Sequence, residues 1–120
     1  MKPHVAFLFT KAPHGSSVGR EGLDAALATA IFSQKIGIFF ISDGVLQLTC
    51  NQQPNQILSR NYISTFNVLE LYDINEYFVC EMSLRVRGQS LTAKRILPIK
   101  ILKPVALRKK LTTYHRIFRF

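Results

Sequence analysis

Hydrophobic residues in this chain fall into short unbroken runs, and between the runs lie polar stretches or segments of helical period. Val5-Ala6-Phe7-Leu8-Phe9 is the first run, and Ile36-Gly37-Ile38-Phe39-Phe40-Ile41 the second. Tyr77-Phe78-Val79 forms a third, ending at Cys80, and Ile96 to Ile101 a fourth. Ile117-Phe118 with Phe120 is the last. Continuous apolar runs of this length are what strands covered on both faces of a parallel sheet require. Between the first two runs, Leu23, Ala26, Leu27, Ala30 and Ile31 recur at the spacing of one helical face, with Ser16 or Ser17 placed to cap the helix.

Further along, Ser42-Asp43-Gly44 ends the second strand, and Val45 to Leu48 reads as a short helical turn. Thr49 to Asn55 is a polar loop, and Ile57 to Leu71 is helical with Ile57, Leu58, Tyr62, Phe66 and Leu69 inward. Asp73 leads into the third strand, and after Cys80 a short helix runs to Gly88, the usual residue just past a helix end. Gln89 to Ala93 is a loop. Pro98 places the fourth strand at an edge or a bulge, and Pro104 suits a helix first turn continued by Val105, Ala106, Leu107 and Leu111. The alternation β-α-β-α-β-α-β-α-β defines an α/β fold with a parallel sheet between two layers of helices.

At 120 residues the chain predicts one domain over residues 1–120, and 48% apolar with 19% charged residues is a globular composition. The apolar run near the N-terminus is too short for a signal peptide, and no stretch approaches the length of a membrane span. The expectation is a soluble cytoplasmic protein. Cys50, Cys80, His4, His14 and His115 are scattered without the paired spacing of a zinc site, and two cysteines do not make a disulfide framework. The formal charge of +9 comes mostly from the C-terminal third, from Arg85 to Arg119. Spread over several elements, it gives attraction to acidic partners without defining a nucleic-acid motif.

Cys80 is the residue with the most chemical promise. A strand-to-helix junction lies at the carboxyl edge of the sheet, where α/β folds place ligands. A thiol there meets the positive end of a helix dipole, a setting that sulfur chemistry uses. The competing reading is a buried cysteine acting as a small hydrophobe. Cysteine phosphatases need Cys-x5-Arg, and the corresponding position is Val86. A receiver domain needs an aspartate where this chain has Cys80. Arg85 gives the looser Cys-x4-Arg of rhodanese loops, a short and common pattern. The loop from Thr10 to Gly19 occupies the phosphate-cradling position but fits neither glycine fingerprint, and a capped helix start explains it better than a flavin mononucleotide site. His14 has no visible catalytic partner, and Cys50 has no neighbour that would activate it.

Several motifs together resemble the TusC, or DsrF-like, family over essentially the whole chain. They are Ala12-Pro13-His14-Gly15, Gly19-Arg20-Glu21-Gly22-Leu23-Asp24-Ala25, Phe39-Phe40-Ile41 with Asp43-Gly44-Val45, Tyr72-Asp73-Ile74, Val79-Cys80 with Ser83-Leu84-Arg85, and Arg119-Phe120. The resemblance implies a three-layer flavodoxin-like (DsrE-like) sheet without a flavin or other cofactor. It also implies assembly with TusB-like and TusD-like subunits as a dimer of heterotrimers. Such a complex relays persulfide sulfur to a TusE-like acceptor, towards 2-thiolation of tRNA wobble uridine. The acknowledged sulfur-carrying cysteine of these complexes belongs to the TusD-like subunit. Cys80 falls at the comparable position and is the candidate persulfide site, while the expected role of the chain is mainly structural. Two alternatives stand beside it: Cys80 as a persulfide carrier in its own right, and a tRNA-binding surface in the basic C-terminal third.

Overall fold

The computed structural model describes residues 4–11, 18–30, 35–48, 74, 76–89 and 99–120. Strand β1 (His4–Phe9) leads to helix α1 (Val18–Ala30), then β2 (Lys35–Phe40) and a 3-10 turn (Ser42–Leu48). Strand β3 (Glu76–Cys80) passes directly into α2 (Glu81–Val86). Then come β4 (Lys100–Leu102), α3 (Pro104–Leu111) and β5 (Arg116–Arg119). The five strands form one sheet in the order β4-β3-β2-β1-β5, with every pairing parallel. This is the parallel sheet between helix layers expected from the apolar runs, in the three-layer, flavodoxin-like form that the resemblance implies. The strand order itself was not legible in those runs.

The order explains how the helices are distributed. Crossovers β1→β2, β2→β3 and β3→β4 step one way across the sheet, whereas β4→β5 returns past three strands to the far side of β1. Since parallel crossovers are right-handed, reversing the direction of travel moves the connecting helix to the opposite face. Accordingly α1, the 3-10 turn and α2 send Ala26, Val45 and Leu84 into one core, with Val5, Phe7, Phe9, Ile36, Ile38, Phe40, Tyr77 and Val79 from the strands. Helix α3 sends Leu107 into the other, with Ala6, Phe39, Phe78, Cys80 and Tyr114.

Strand alternation sorts these residues, because neighbours along a strand point to opposite faces. In β2, Ile36, Ile38 and Phe40 face one way and Phe39 the other, and all are buried. Aromatic rings bind neighbouring strands on both faces. Phe9 stacks on Phe40 at 5.5 Å between centroids, and Phe39 on Phe78 at 4.9 Å.

Helix α1 packs Ala26, Leu27 and Ala30 against the core as its period requires. The Leu23 side chain, Ile31 and the capping serines lie outside the described positions, as do Cys50, His14, Asp73 and the segment from Ile57 to Leu71. Ser42-Asp43-Gly44 does not simply end β2 but opens the 3-10 turn. The fourth strand is at the sheet edge as expected. Its described part lies at Lys100–Leu102, at the end of the predicted run and one residue beyond it, and Pro98 is outside the described residues. Pro104 occupies the first turn of α3, where its missing N–H costs nothing. Within that helix only Leu107 is buried, with Leu111 packed beside it, while Val105 is 56% exposed.

Candidate functional site

Three strands bring their carboxyl ends together around the junction of β3 and α2. Cys80 is the last residue of the strand and caps the helix with extended backbone, φ −75° and ψ 118°. Its thiol is free and makes no capping hydrogen bond, and the residue as a whole is 8% exposed. Alternation along β3 decides where it points. Tyr77 and Val79 face the α1 side, so Phe78 and Cys80 face α3. There Cys80 joins an apolar cluster with Phe39, Phe78 and Leu107 and lies in register with Leu102 of β4.

Helix α2 ends in a Schellman motif. Gly88, at φ +66°, donates to the Arg85 carbonyl at 3.1 Å, and Gln89 donates to the Leu84 carbonyl at 2.9 Å. That geometry needs a residue tolerating the left-handed region, and glycine does so without strain. The helix is tied to the end of β2 by its polar side chains. The Ser83 hydroxyl accepts the Ser42 amide at 2.9 Å, and Arg87 Nε meets Asp43 Oδ1 at 2.8 Å while its Nη1 donates to the Ser83 carbonyl at 3.2 Å. Ser42 has φ 51°, which costs a non-glycine residue about 1 kcal/mol, and the Ser83 bond offsets it in part. Gly44 holds the turn against β1: a Cβ there would stand 1.9 Å from the Phe9 carbonyl oxygen.

These contacts bear on the Cys-x4-Arg pattern. Arg85 Nε donates to Glu81 Oε1 at 3.0 Å, a pair one helical turn apart, so the guanidinium is already engaged by a carboxylate. Arg87 is engaged likewise by Asp43. Reactive cysteines sit in electropositive, partly exposed surroundings, whereas buried cysteines in apolar ones are inert. Cys80 has the location of a functional thiol and the packing of a structural one. Among the described residues, no group of His, Cys, Asp and Glu is arranged to hold a metal ion.

A second polar cluster, which the sequence did not reveal, lies at the opposite, amino edge of the sheet. Glu76 at the start of β3 is 3.6 Å from Lys35 and 3.9 Å from Lys110, and the Tyr114 hydroxyl donates to it at 3.4 Å. Lys110 also sits over the Phe78 ring, 5.3 Å from its centroid. Burial, then the charge and hydrogen bond of Glu76, push the Tyr114 phenol well above its usual range. His4 and His115 close the same edge: the His4 amide donates to His115 Nδ1 at 2.8 Å, and the two rings meet edge-on. Neither histidine is near Cys80, which ends a strand at the other side of the sheet. Glu76 and Tyr114 are 38 residues apart, and no local pattern links them. Arg108, Lys109, Arg116 and Arg119 are among the exposed basic residues of the C-terminal third.

A five-stranded parallel sheet between helices, with a cysteine where the third strand enters a helix, defines a small α/β protein of flavodoxin-like architecture. The crystal structure of the ychN protein from E. coli has the same fold, with a TM-score of 0.79 over all of both chains at 22% sequence identity. The model of the DsrE/DsrF-like family matches residues 4–120, and the chain belongs to that family. Membership points to a sulfur-relay-related function. No described helix is long and apolar enough to cross a membrane.

Proposed function

We propose that this chain is a TusC-like subunit of a cytoplasmic sulfur-relay complex. It would assemble with TusB-like and TusD-like subunits as a heterohexamer, a dimer of heterotrimers. The complex passes persulfide sulfur to a TusE-like acceptor, towards 2-thiolation of tRNA wobble uridine, and this chain contributes mainly structure. The observation that carries the reading is the packing of Cys80. The thiol stands at the sheet edge where the chemistry of such folds is placed, yet it is buried in an apolar cluster. The nearby Arg85 and Arg87 are paired with carboxylates and not left to receive an anionic sulfur species. A persulfide carrier must expose its thiolate to attack the donor's outer sulfur, releasing the donor thiolate, and must then expose its own outer sulfur to the acceptor's thiolate.

The test is the intact mass of each subunit after incubation with a persulfidated donor. Wild type and Cys80→Ser are compared, alone and assembled with the TusB-like and TusD-like chains. The expected outcome is sulfur on a partner, none on this chain, and unchanged flow in Cys80→Ser. Gain of one sulfur atom on wild type, lost in Cys80→Ser, would overturn the structural role and make Cys80 a carrier. If the exposed Arg108, Lys109, Arg116 and Arg119 bound tRNA directly, affinity would fall steeply with salt, and the chain would belong to the product end of the relay.

A further inference from the structure

Among the described residues, strand β5 forms one edge of the sheet and pairs only with β1. All four of its residues are exposed, with Ile117 at 48% and Phe118 at 44%. Its register places Phe118 beside Phe7, on which it stacks at 5.6 Å, and Ile117 beside Ala6 on the other face. Apolar surface is therefore open on both sides of the same short strand. The backbone is open as well. Phe120 directs both its N–H, to the Leu8 carbonyl at 2.8 Å, and its C=O, to the Thr10 amide at 2.7 Å, towards β1 and the loop after it. Parallel ladders use alternate residues, so the N–H and C=O groups of Ile117 and Arg119 point away from the sheet. Edge strands are usually blunted or covered, because such a row of donors and acceptors is a template for another strand.

We infer that the free edge of β5 docks an extended acidic segment of a different protein chain, which adds a strand to the sheet. The alternating donors and acceptors call for a peptide backbone, since a nucleic-acid phosphate can accept but cannot donate. Arg116 and Arg119 bracket the apolar pair, one on each face, and call for carboxylates on the incoming strand. A second copy of this chain is a poor occupant. Residues 82–120 contain Lys and Arg throughout and no Asp or Glu, so a pairing of two β5 edges sets Arg116 and Arg119 of one copy against the same residues of the other. The inference rests on the reading of the chain as an assembly subunit but not on any sulfur chemistry.

The test uses the full chain and two synthetic peptides of alternating valine and either glutamate or lysine, followed by amide hydrogen exchange. The glutamate peptide should protect the amides of Ile117 and Arg119, and the lysine peptide should not. Ile117→Pro removes an outward donor while leaving the bonds to β1 intact, so protection at Arg119 should vanish with the far-UV spectrum unchanged. Charge reversal at Arg116→Glu with Arg119→Glu should weaken the glutamate peptide by roughly tenfold and transfer preference to the lysine peptide. Equal protection by both peptides would overturn the proposal. So would protection by a single-stranded RNA oligonucleotide, or concentration-dependent protection without peptide, which would make the occupant a second copy. None of these outcomes depends on whether sulfur reaches Cys80, so this inference and the relay reading fail separately.

Discussion

Replacing Gly44 by alanine should be among the most damaging single-methyl changes in this protein. The added Cβ would meet the Phe9 carbonyl oxygen at 1.9 Å, the Phe9 carbonyl carbon at 2.5 Å and the Thr10 nitrogen at 3.1 Å. All three are backbone atoms, so no side chain can swing aside. The same Phe9 oxygen accepts the Ile41 amide at 3.0 Å, and Gly44 itself donates to the Ile41 carbonyl at 2.8 Å. Relieving the clash takes a shift of about 1 Å between turn and strand and strains both bonds. Overpacking costs roughly 1–3 kcal/mol and a lost backbone hydrogen bond about 1 more, for a total of about 2–4 kcal/mol. For a chain of this length the melting temperature falls by about 4 °C per kcal/mol, so the expected drop is roughly 8–16 °C.

Thermal melts followed by circular dichroism, paired with urea titrations, give the comparison. Gly88→Ala is the control, since nothing lies within 4 Å of its added methyl and only the positive φ is penalised. That penalty is about 1–2 kcal/mol. Gly44→Ala costing less than Gly88→Ala would refute the argument that backbone contact, not local conformation, fixes the turn.

Two further outcomes are expected. In a Cys50→Ser background, Cys80 should react with a thiol reagent at least about tenfold more slowly in the native state than in urea, because a buried thiol must await local opening; equal rates would place the thiol at the surface. Tyr114 has its phenol raised by burial and by Glu76, so its neutral form contributes stability that is fully present below the ordinary phenol value of about 10 and lost as pH rises above it. Tyr114→Phe should therefore flatten the alkaline loss of stability seen in urea titrations, and an unchanged slope above pH 10 would remove Tyr114 as its source.

Much of the architecture was readable because the inner strands β1, β2 and β3 are covered on both faces. Val5 to Phe9 and Ile36 to Ile41 carry almost no polar interruption, which leaves little choice of element. Cys80 was placed correctly because Gly88 punctuates the chain soon after it, and a helix that short must begin where the apolar run stops. Strand order was not readable. Strands of similar composition differ in partner only through contacts across the whole chain, as the pairing of β1 with β5 shows. Nor could Val105 be told from Leu107 by type. Only the position facing the sheet is buried, and one turn of α3 offers both. The direction of the Cys80 side chain followed from period-two alternation once the strand was fixed. The engagement of Arg87 did not, because Asp43 and Arg87 lie 44 residues apart.

The neighbourhood of β1 and β5 has a consequence in time. Val5 to Leu8 find their partners in Arg116 to Arg119, and the hydrogen bonds joining the two regions span about 110 residues. During synthesis, the flank of β1 that pairs with β5 stays open until residues about 110 positions further on have emerged. Contacts this distant in sequence also close slowly. Nascent molecules thus pass through a stage in which a hydrophobic strand edge is presented before its own cover exists. Rapid production without chaperone capacity should send this protein into aggregates through β1, and a variant that weakens β5 docking, such as Phe118→Ala, should lower soluble yield by more than its equilibrium stability alone would suggest.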